Sequence, residues 1–215
     1  MSSGSPVGGV QILLATRNAK KLAELQRILE PLLEARVIGL SDVPPYDESP
    51  ETGATFEENA LDKAREGARE TGLITVADDS GLAVDALNGM PGVLSARWSG
   101  KHGDDCANLK LVLGQLADVP AERLGAQFIC AAALVIPSGG ETIVRGVMRG
   151  RLVREPHGHN GFGYDPIFVA EGQQRTNGEL DPAVKDAISH RGQALRALVP
   201  HLVAACTSAP ARDKH

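Results

Sequence analysis

The apolar positions of this chain change period along its length, and the changes predict a succession of strands and helices. "VQILLAT" (10–16) is a short unbroken apolar run, the mark of a buried strand. Asn18 follows as a helix N-cap, with Leu22, Leu25, Ile28, Leu29, Leu32 and Leu33 recurring at helical spacing. "ARVIGL" (35–40) predicts a second strand, and "SDVPPYDESPETG" (41–53) a polar, proline-rich loop long enough to suggest function. Thr55 and Glu58 form a capping box that opens a helix running to Glu70.

"LITVAD" (73–78) predicts a third strand and "LNGMPGVLSARWSG" (87–100) a glycine-rich excursion. Residues 104–116 carry Leu109, Val112, Leu113 and Leu116 on one helical face. Two strands, 126–136 and 141–150, flank Pro137-Ser-Gly-Gly140, a hairpin signal. A glycine-rich loop (155–166) precedes the short strand "IFVA", and helical patterns follow at 181–188 and 191–205. Strands alternating with helices, then a hairpin, predict an α/β fold with a mixed sheet. One unit over residues 10–207 is expected, with a floppy leader (1–9) and a flexible tail (208–215).

Composition narrows the classes. Aromatics make up only 3% of the chain, so the core must rest on Leu, Val, Ile and Ala. No apolar run approaches the ~20 residues needed to span a bilayer, so no membrane is expected. The net charge of −5 argues against a nucleic-acid partner, which wants a basic face. Cys106, Cys130 and Cys206 show no Cys-x-x-Cys spacing, which speaks against zinc or a disulfide framework and for a reducing cytoplasm.

Five segments could carry chemistry. In "ATRNAKK" (15–21) a strand ends and a helix begins, aiming free backbone N–H groups at any anion lying there. Thr16 and Asn18 add hydrogen-bonding side chains and Lys20 or Lys21 adds charge, although a plain cap with solvated lysines has the same pattern. Glu51 precedes the second helix and Lys63 lies on it, where an exposed charged face is the simpler account. In "ITVADDSGLAVD" (74–85) two carboxylates interrupt a core strand, and such a pair needs solvent, hydrogen bonds or a cation. Alternation puts Asp78 and Asp79 on opposite faces, and Ser80-Gly81 should bend the chain at the strand end, where ligands of open α/β sheets gather. Phe162, held between glycines in "GFGYDP", is placed to stack on a flat ligand, with Asp165 accepting from ligand N–H groups. Ser189 reads as an N-cap, which sets His190 and Arg191 in a first turn whose dipole they oppose unless they bind an anion or a carbonyl. His157 and His159 lack a third ligand, and Trp98 reads as core or interface.

Taken in order, "LATRNAKKLAEL", "ETGATFEENALDKA", "ADDSGLAVDALNGMPGVLSARWSG", "GFGYDPIF" and "AISHRGQAL" closely resemble the Ham1-like inosine triphosphate pyrophosphatases. The resemblance spans residues 13 to 195 and implies an elongated α/β structure with a long central sheet, two lobes and a nucleotide cleft, usually a homodimer. It implies Mg²⁺-dependent hydrolysis of ITP, dITP and XTP to the monophosphate and pyrophosphate, keeping these nucleotides out of DNA and RNA. By matching residues, the turn Thr16, Arg17, Asn18, Ala19, Lys20 and Lys21 would hold the triphosphate, with Lys63 as a second contact. Glu51 and Asp79 would be the Mg²⁺ carboxylates, Asp79 also the base that activates water, and Ser80 a substrate contact. Phe162 would stack on the base, with Gly163, Tyr164 and Asp165 completing that wall. Lys185, His190 and Arg191 would make the remaining nucleotide contacts, the last two at the 6-oxo edge. Arg17 stands where many members carry Gly.

A carboxylate on Mg²⁺ is a poorer base, so Asp78 is kept as a fallback. A pyrophosphatase for pyrimidine or modified nucleotides would keep the phosphate apparatus but not both "GFGYDP" and "SHRG". A non-hydrolysing nucleotide sensor would not need both Glu51 and Asp79.

Overall fold

The computed structural model describes residues 10–32 and 35–208. Six strands, β1 (Gln11–Leu14), β2 (Arg36–Gly39), β3 (Ile74–Val84), β4 (Gly125–Val135), β5 (Glu141–Leu152) and β6 (Phe168–Ala170), form one sheet in the order β2-β1-β3-β4-β5-β6. β1 runs parallel to both β2 and β3, and the remaining pairs are antiparallel. Parallel neighbours need crossovers; α1 (Ala19–Leu29) links β1 to β2, and α2 (Phe56–Thr71) links β2 to β3. α3 (Asp105–Gln115), α4 (Pro182–Ile188) and α5 (His190–Ser208) complete the flanking layers. α5 runs to Ser208, and the expected leader (1–9) and the rest of the expected tail (209–215) lie outside the described residues.

Local chemistry sets several ends. Asn18 Oδ1 accepts from the N–H groups of Lys20 and Lys21 and starts α1. Pro31 has no backbone N–H to extend the α ladder, so α1 stops at Leu29 and a short 3-10 turn, Glu30–Leu32, follows, although Glu30 keeps right-handed helical angles. Leu32, placed by spacing on the buried face, is consequently 46% exposed, and Leu33 lies outside the described residues. The Thr55–Glu58 box opens α2, which ends on Gly72 at φ 65°, a left-handed cap that glycine adopts without penalty.

One expectation fails at β3. The strand does not end at Asp78-Asp79-Ser80-Gly81 but passes straight through to Val84, paired with β4 from Thr75↔Val135 to Val84↔Ala126. Its length makes the molecule long: eleven residues cover roughly 35 Å. Along one face, Ile74 and Val76 enter a core with Leu25, Leu29, Leu195, Leu198 and Leu202. Leu82 and Val84 on that same face enter a second core with Leu109, Val112, Met148, Phe168 and Trp98. Asp78 and Ser80 fall between the two. On the other face, Ala77 and Ala83 join an alanine-rich layer under α2, interrupted by Asp79 and Gly81. The polar stretch therefore marks the middle of a continuous strand, where one lobe's core stops and the next begins.

Gly81 is fixed by close approach. A Cβ there would lie 2.4 Å from both the Gly92 carbonyl and Ser95 Oγ. Ser95 Oγ also accepts the Leu82 N–H at 2.9 Å and donates to the Gly92 carbonyl at 2.7 Å, seating the 92–97 turn on β3.

Candidate active site

A cleft of about 410 Å³ opens between the lobes. Of the residues named from sequence, Thr16, Arg17, Asn18, Lys21, Glu51, Lys63, Asp79, Ser80, Phe162, Gly163, Tyr164, Asp165, Lys185, His190 and Arg191 line it. Ala19 and Lys20 do not; Lys20 is largely exposed and reaches Asp105 at 3.5 Å. Six cationic side chains face five carboxylates across this space, a local positive excess within an acidic chain.

The turn after β1 differs from expectation. The N–H groups of Lys20 and Lys21 are taken by Asn18 Oδ1, and the Asn18 N–H by Thr16 Oγ1 at 3.2 Å. Free backbone donors are thus fewer than the strand-to-helix junction promised. The cations carry more of the work, with Lys21 at 3.2 Å from Asp78. Arg17 is exposed and pairs with Glu48, bonding also to the Tyr46 carbonyl at 3.4 Å.

Glu51 and Asp79 converge on one ammonium: Lys63 Nζ lies 2.8 Å from Glu51 Oε1 and 3.6 Å from Asp79 Oδ1. Asn59, one turn before Lys63 on the buried stripe of α2, donates from Nδ2 to Asp79 Oδ2 at 3.0 Å and accepts the Gly53 N–H at 2.8 Å. One Asp79 oxygen is thereby fixed and the other turned toward Lys63. The two carboxyls are pushed apart. Burial raises Asp79, with repulsion from Glu51 in the same sense and Lys63 and Lys21 opposing it. Burial works on Glu51 too, but Lys63, Lys21 and Arg97 outweigh it and hold that carboxyl low. Carboxylates so separated divide into a standing anion and a base. For Lys63 itself burial opposes the charge, yet Asp79 and Glu51 keep its pKa above the ordinary lysine value.

Asp78 points the other way, and the expectation that it could serve as a fallback base is corrected. Its side chain is sealed from solvent and held by Arg191 Nε and Lys21 Nζ, each at 3.2 Å. Burial alone would raise its pKa, but Lys21 and Arg191 drive it far below the carboxylate range, so it has no appetite for a proton. Arg191 is the hub of this buried cluster: it donates to Asp78, to Glu24 and to Ser80 Oγ at 2.7 Å. Three of its donors are spoken for before any ligand arrives.

At the far end, Phe162 is half-buried and ringed by cations, with Lys185 Nζ at 5.2 Å and the Arg191 guanidinium at 5.5 Å from its centroid. Asp165 does not offer free acceptors as expected. Its Oδ2 takes the Phe162 N–H at 2.9 Å and Lys185 Nζ at 2.6 Å, and its Oδ1 takes Asn177 Nδ2 at 3.1 Å. It clamps the loop. Asp105 holds the Gly163 N–H at 3.0 Å, and the Tyr164 hydroxyl donates to the Ser95 carbonyl at 2.9 Å.

Ser189 Oγ accepts the Gly192 N–H at 2.9 Å, as an N-cap does, and starts α5 with His190 and Arg191. The His190 ring stacks on Phe128 at 4.9 Å, and its Nδ1 has no hydrogen-bond partner among the described residues. Burial, reinforced by Arg191 and Lys185, lowers its pKa well below 6.5. The unfolded chain therefore takes up this proton first. The stability that neutral His190 provides is complete above about pH 6.5 and drains as pH falls, by at most about 1.4 kcal/mol per pH unit. Between pH 7.5 and 5.5, His190→Gln should lose less Tm than the wild type; parallel losses would place the acid sensitivity elsewhere.

Asn59, Glu24, Arg97, Glu48 and Asp105 belong to the site yet escaped the sequence. Two left a signal. Asn59 and Lys63 sit on the apolar stripe of α2, and Lys21 and Glu24 on that of α1, where charge is costly without partners. The other three lie on loops or a helix end with no such pattern.

Carboxylates, lysines and an aromatic ring among cations, in a cleft across a mixed α/β sheet, are the equipment of a nucleotide-processing enzyme. The chain belongs to the Ham1 family, whose sequence model matches residues 12–201. It is 65% identical over 196 residues to a Nocardia farcinica protein named dITP/XTP pyrophosphatase, covering 90% of this chain and 95% of that one. A Mycobacteroides abscessus protein of the same name is 62% identical, with 90% and 95% covered. Among solved structures, a HAM1 protein from Coxiella burnetii superposes with a TM-score of 0.78 at 46% identity, covering 90% of this chain and 98% of that one. The Mycobacterium abscessus nucleoside-triphosphatase / dITP/XTP pyrophosphatase gives 0.73 at 63% identity, over 89% of this chain and all of the other.

Proposed function

We propose that this protein hydrolyses inosine and xanthosine triphosphates, ribo or deoxy, to the nucleoside monophosphate and pyrophosphate. One observation carries the proposal: Glu51 and Asp79 meet at Lys63 in a cleft whose other end holds Phe162 among cations.

The donor set fits a divalent cation. Two carboxylates of hard oxygen, one of them raised by burial and by the other's charge, sit where an ammonium already compensates them. Glu51 and Asp79 would hold Mg²⁺, which when bound supplies charge neutralisation along the triphosphate. The chain's own groups do the rest. Thr16, Asn18 and Lys21 take the triphosphate. Asp79, its Oδ2 fixed by Asn59 and its Oδ1 facing Lys63, orients a water and accepts its proton through an oxygen that the cation does not hold. The water oxygen bonds to the α-phosphorus as the bridge to the β-phosphate breaks, and Lys63 and Lys21 neutralise the departing pyrophosphate.

Selectivity follows from donors. Lys185 and Arg191 offer N–H groups and no acceptor. Beside a base stacked on Phe162 they welcome the O6 of hypoxanthine or xanthine and oppose the N6 amino group of adenine; guanine shares that O6, so its rejection requires a tight wall against its 2-amino group. We further propose a homodimer acting in the cytoplasm, with residues 10–207 as one unit. Among the described residues no helix is long and apolar enough to cross a membrane.

Pyrophosphate release from ITP, dITP, XTP, GTP and ATP, with Mg²⁺ and with EDTA, tests the proposal. Mg²⁺-dependent release mainly from the first three is expected. Equal release from all five would remove the selectivity, and release from none would remove the activity.

A further inference from the structure

Glu51 is the least anchored of the proposed cation ligands by its own backbone. It lies within residues 43–54, a stretch without helix or strand, whereas Asp79 is built into the middle of β3. Something must hold it at the cleft. Lys63 meets Oε1 at 2.8 Å, but that ammonium occupies the very oxygen a cation would use and is shared with Asp79. A second group meets Glu51 from the opposite wall. Arg97 Nη1 lies 3.3 Å from Oε2, and Arg97 Nη2 donates to the Glu51 carbonyl at 3.3 Å.

We infer that Arg97 is the positioning residue for Glu51 in divalent-cation binding; the inference rests on the cation site proposed above. Its fork grips side chain and main chain of one residue together, so it fixes both where the loop passes and which way the carboxylate turns. By taking Oε2 it leaves Oε1 as the oxygen to be handed from Lys63 to a cation. Arg97 is itself well placed to be rigid. It ends the 92–97 turn, which Ser95 bonds to Leu82 and Gly92 and which Gly81 admits by having no side chain. The path from β3 to Glu51 therefore runs through short, packed contacts. An isolated surface ion pair would contribute little, but Arg97 is about two-thirds buried and bonds a backbone carbonyl as well.

Mn²⁺ binding to the nucleotide-free enzyme, followed by loss of the free-ion paramagnetic resonance signal, tests this without turnover. Partners that orient a metal ligand typically matter by 10–100-fold in affinity. Arg97→Met should weaken Mn²⁺ by about that factor, with unchanged circular dichroism. Arg97→Lys, which keeps the charge but cannot span both oxygens, should fall between. In turnover, the Mg²⁺ activation midpoint should rise. Glu51→Gln separates the two claims. If it loses Mn²⁺ affinity while Arg97→Met and Arg97→Lys keep that of the wild type, the role of Arg97 is overturned and the cation site stands. If Glu51→Gln binds like the wild type, or the wild type does not bind, both fall. Should the Met variant fail to fold, the Lys variant decides.

Discussion

Asp79→Asn is expected to lower kcat by on the order of 10³-fold, the scale of losing a positioned base, and to leave the fold at least as stable. Both halves follow from one geometry. The Asn59 bond to the 79 side chain can persist, since an amide oxygen accepts as a carboxylate does, so the rotamer is kept while the charge is removed. Stability should not suffer because the Asp79 pKa is raised by burial. A carboxyl raised in the folded state contributes stability below its unfolded pKa and loses it as pH rises through the folded value. At neutral pH the ionised form is therefore a burden that the amide lifts. Activity within about 10-fold of wild type would remove Asp79 from the chemistry, given the usual 10²–10⁴-fold scale.

The second large effect falls on stability. Arg191→Met should cost about 3–5 kcal/mol, because it leaves two buried carboxylates without their shared cation. For a chain of this size that lowers Tm by roughly 6–20 °C. Asp78 and Glu24 are each nearly sealed from solvent, and Asp78 would keep the Lys21 ion pair and the weaker pull of Lys63 but lose its guanidinium. Adding Glu24→Gln should recover part of the loss, since it removes one stranded charge. Urea unfolding of wild type, single and double variants measures this; a single variant within 1 kcal/mol of wild type would mean that the cluster is not the structural hub its contacts describe. Base selectivity of Arg191 variants is interpretable only at temperatures where they stay folded.

Arg191 also shows where the sequence stops being informative. Its Ser189 cap is local, and so are the Asn18 cap, the Thr55–Glu58 box and the 137–140 turn; each follows from neighbours within three or four residues. The partners of Arg191 lie 113 and 167 positions away, and no periodicity connects them. Without them, two cations in the first turn of α5 look like an invitation to an anionic ligand, when much of the compensation is already internal. The course of β3 is hidden from the sequence for a related reason. Asp-Asp-Ser-Gly carries turn chemistry when read alone, but ten consecutive pairings with β4 hold it extended. The place of Asp165 in the cleft is legible in the sequence but two of its partners are not, since Asn177 and Lys185 come from residues that the chain alone does not bring near. The resemblance implied the roles proposed for Glu51 and Asp79; the structure adds the residues that bond to them, Asn59 and Arg97.

The central claim is that water attacks the α-phosphorus and pyrophosphate leaves. Hydrolysis of ITP in ¹⁸O-labelled water, with both products weighed by mass spectrometry, tests it most directly. One ¹⁸O in the inosine monophosphate and none in the pyrophosphate is the expected result. Label in the pyrophosphate would place the attack on the β-phosphorus, and release of orthophosphate with inosine diphosphate would place it on the γ-phosphorus. Either would contradict the account.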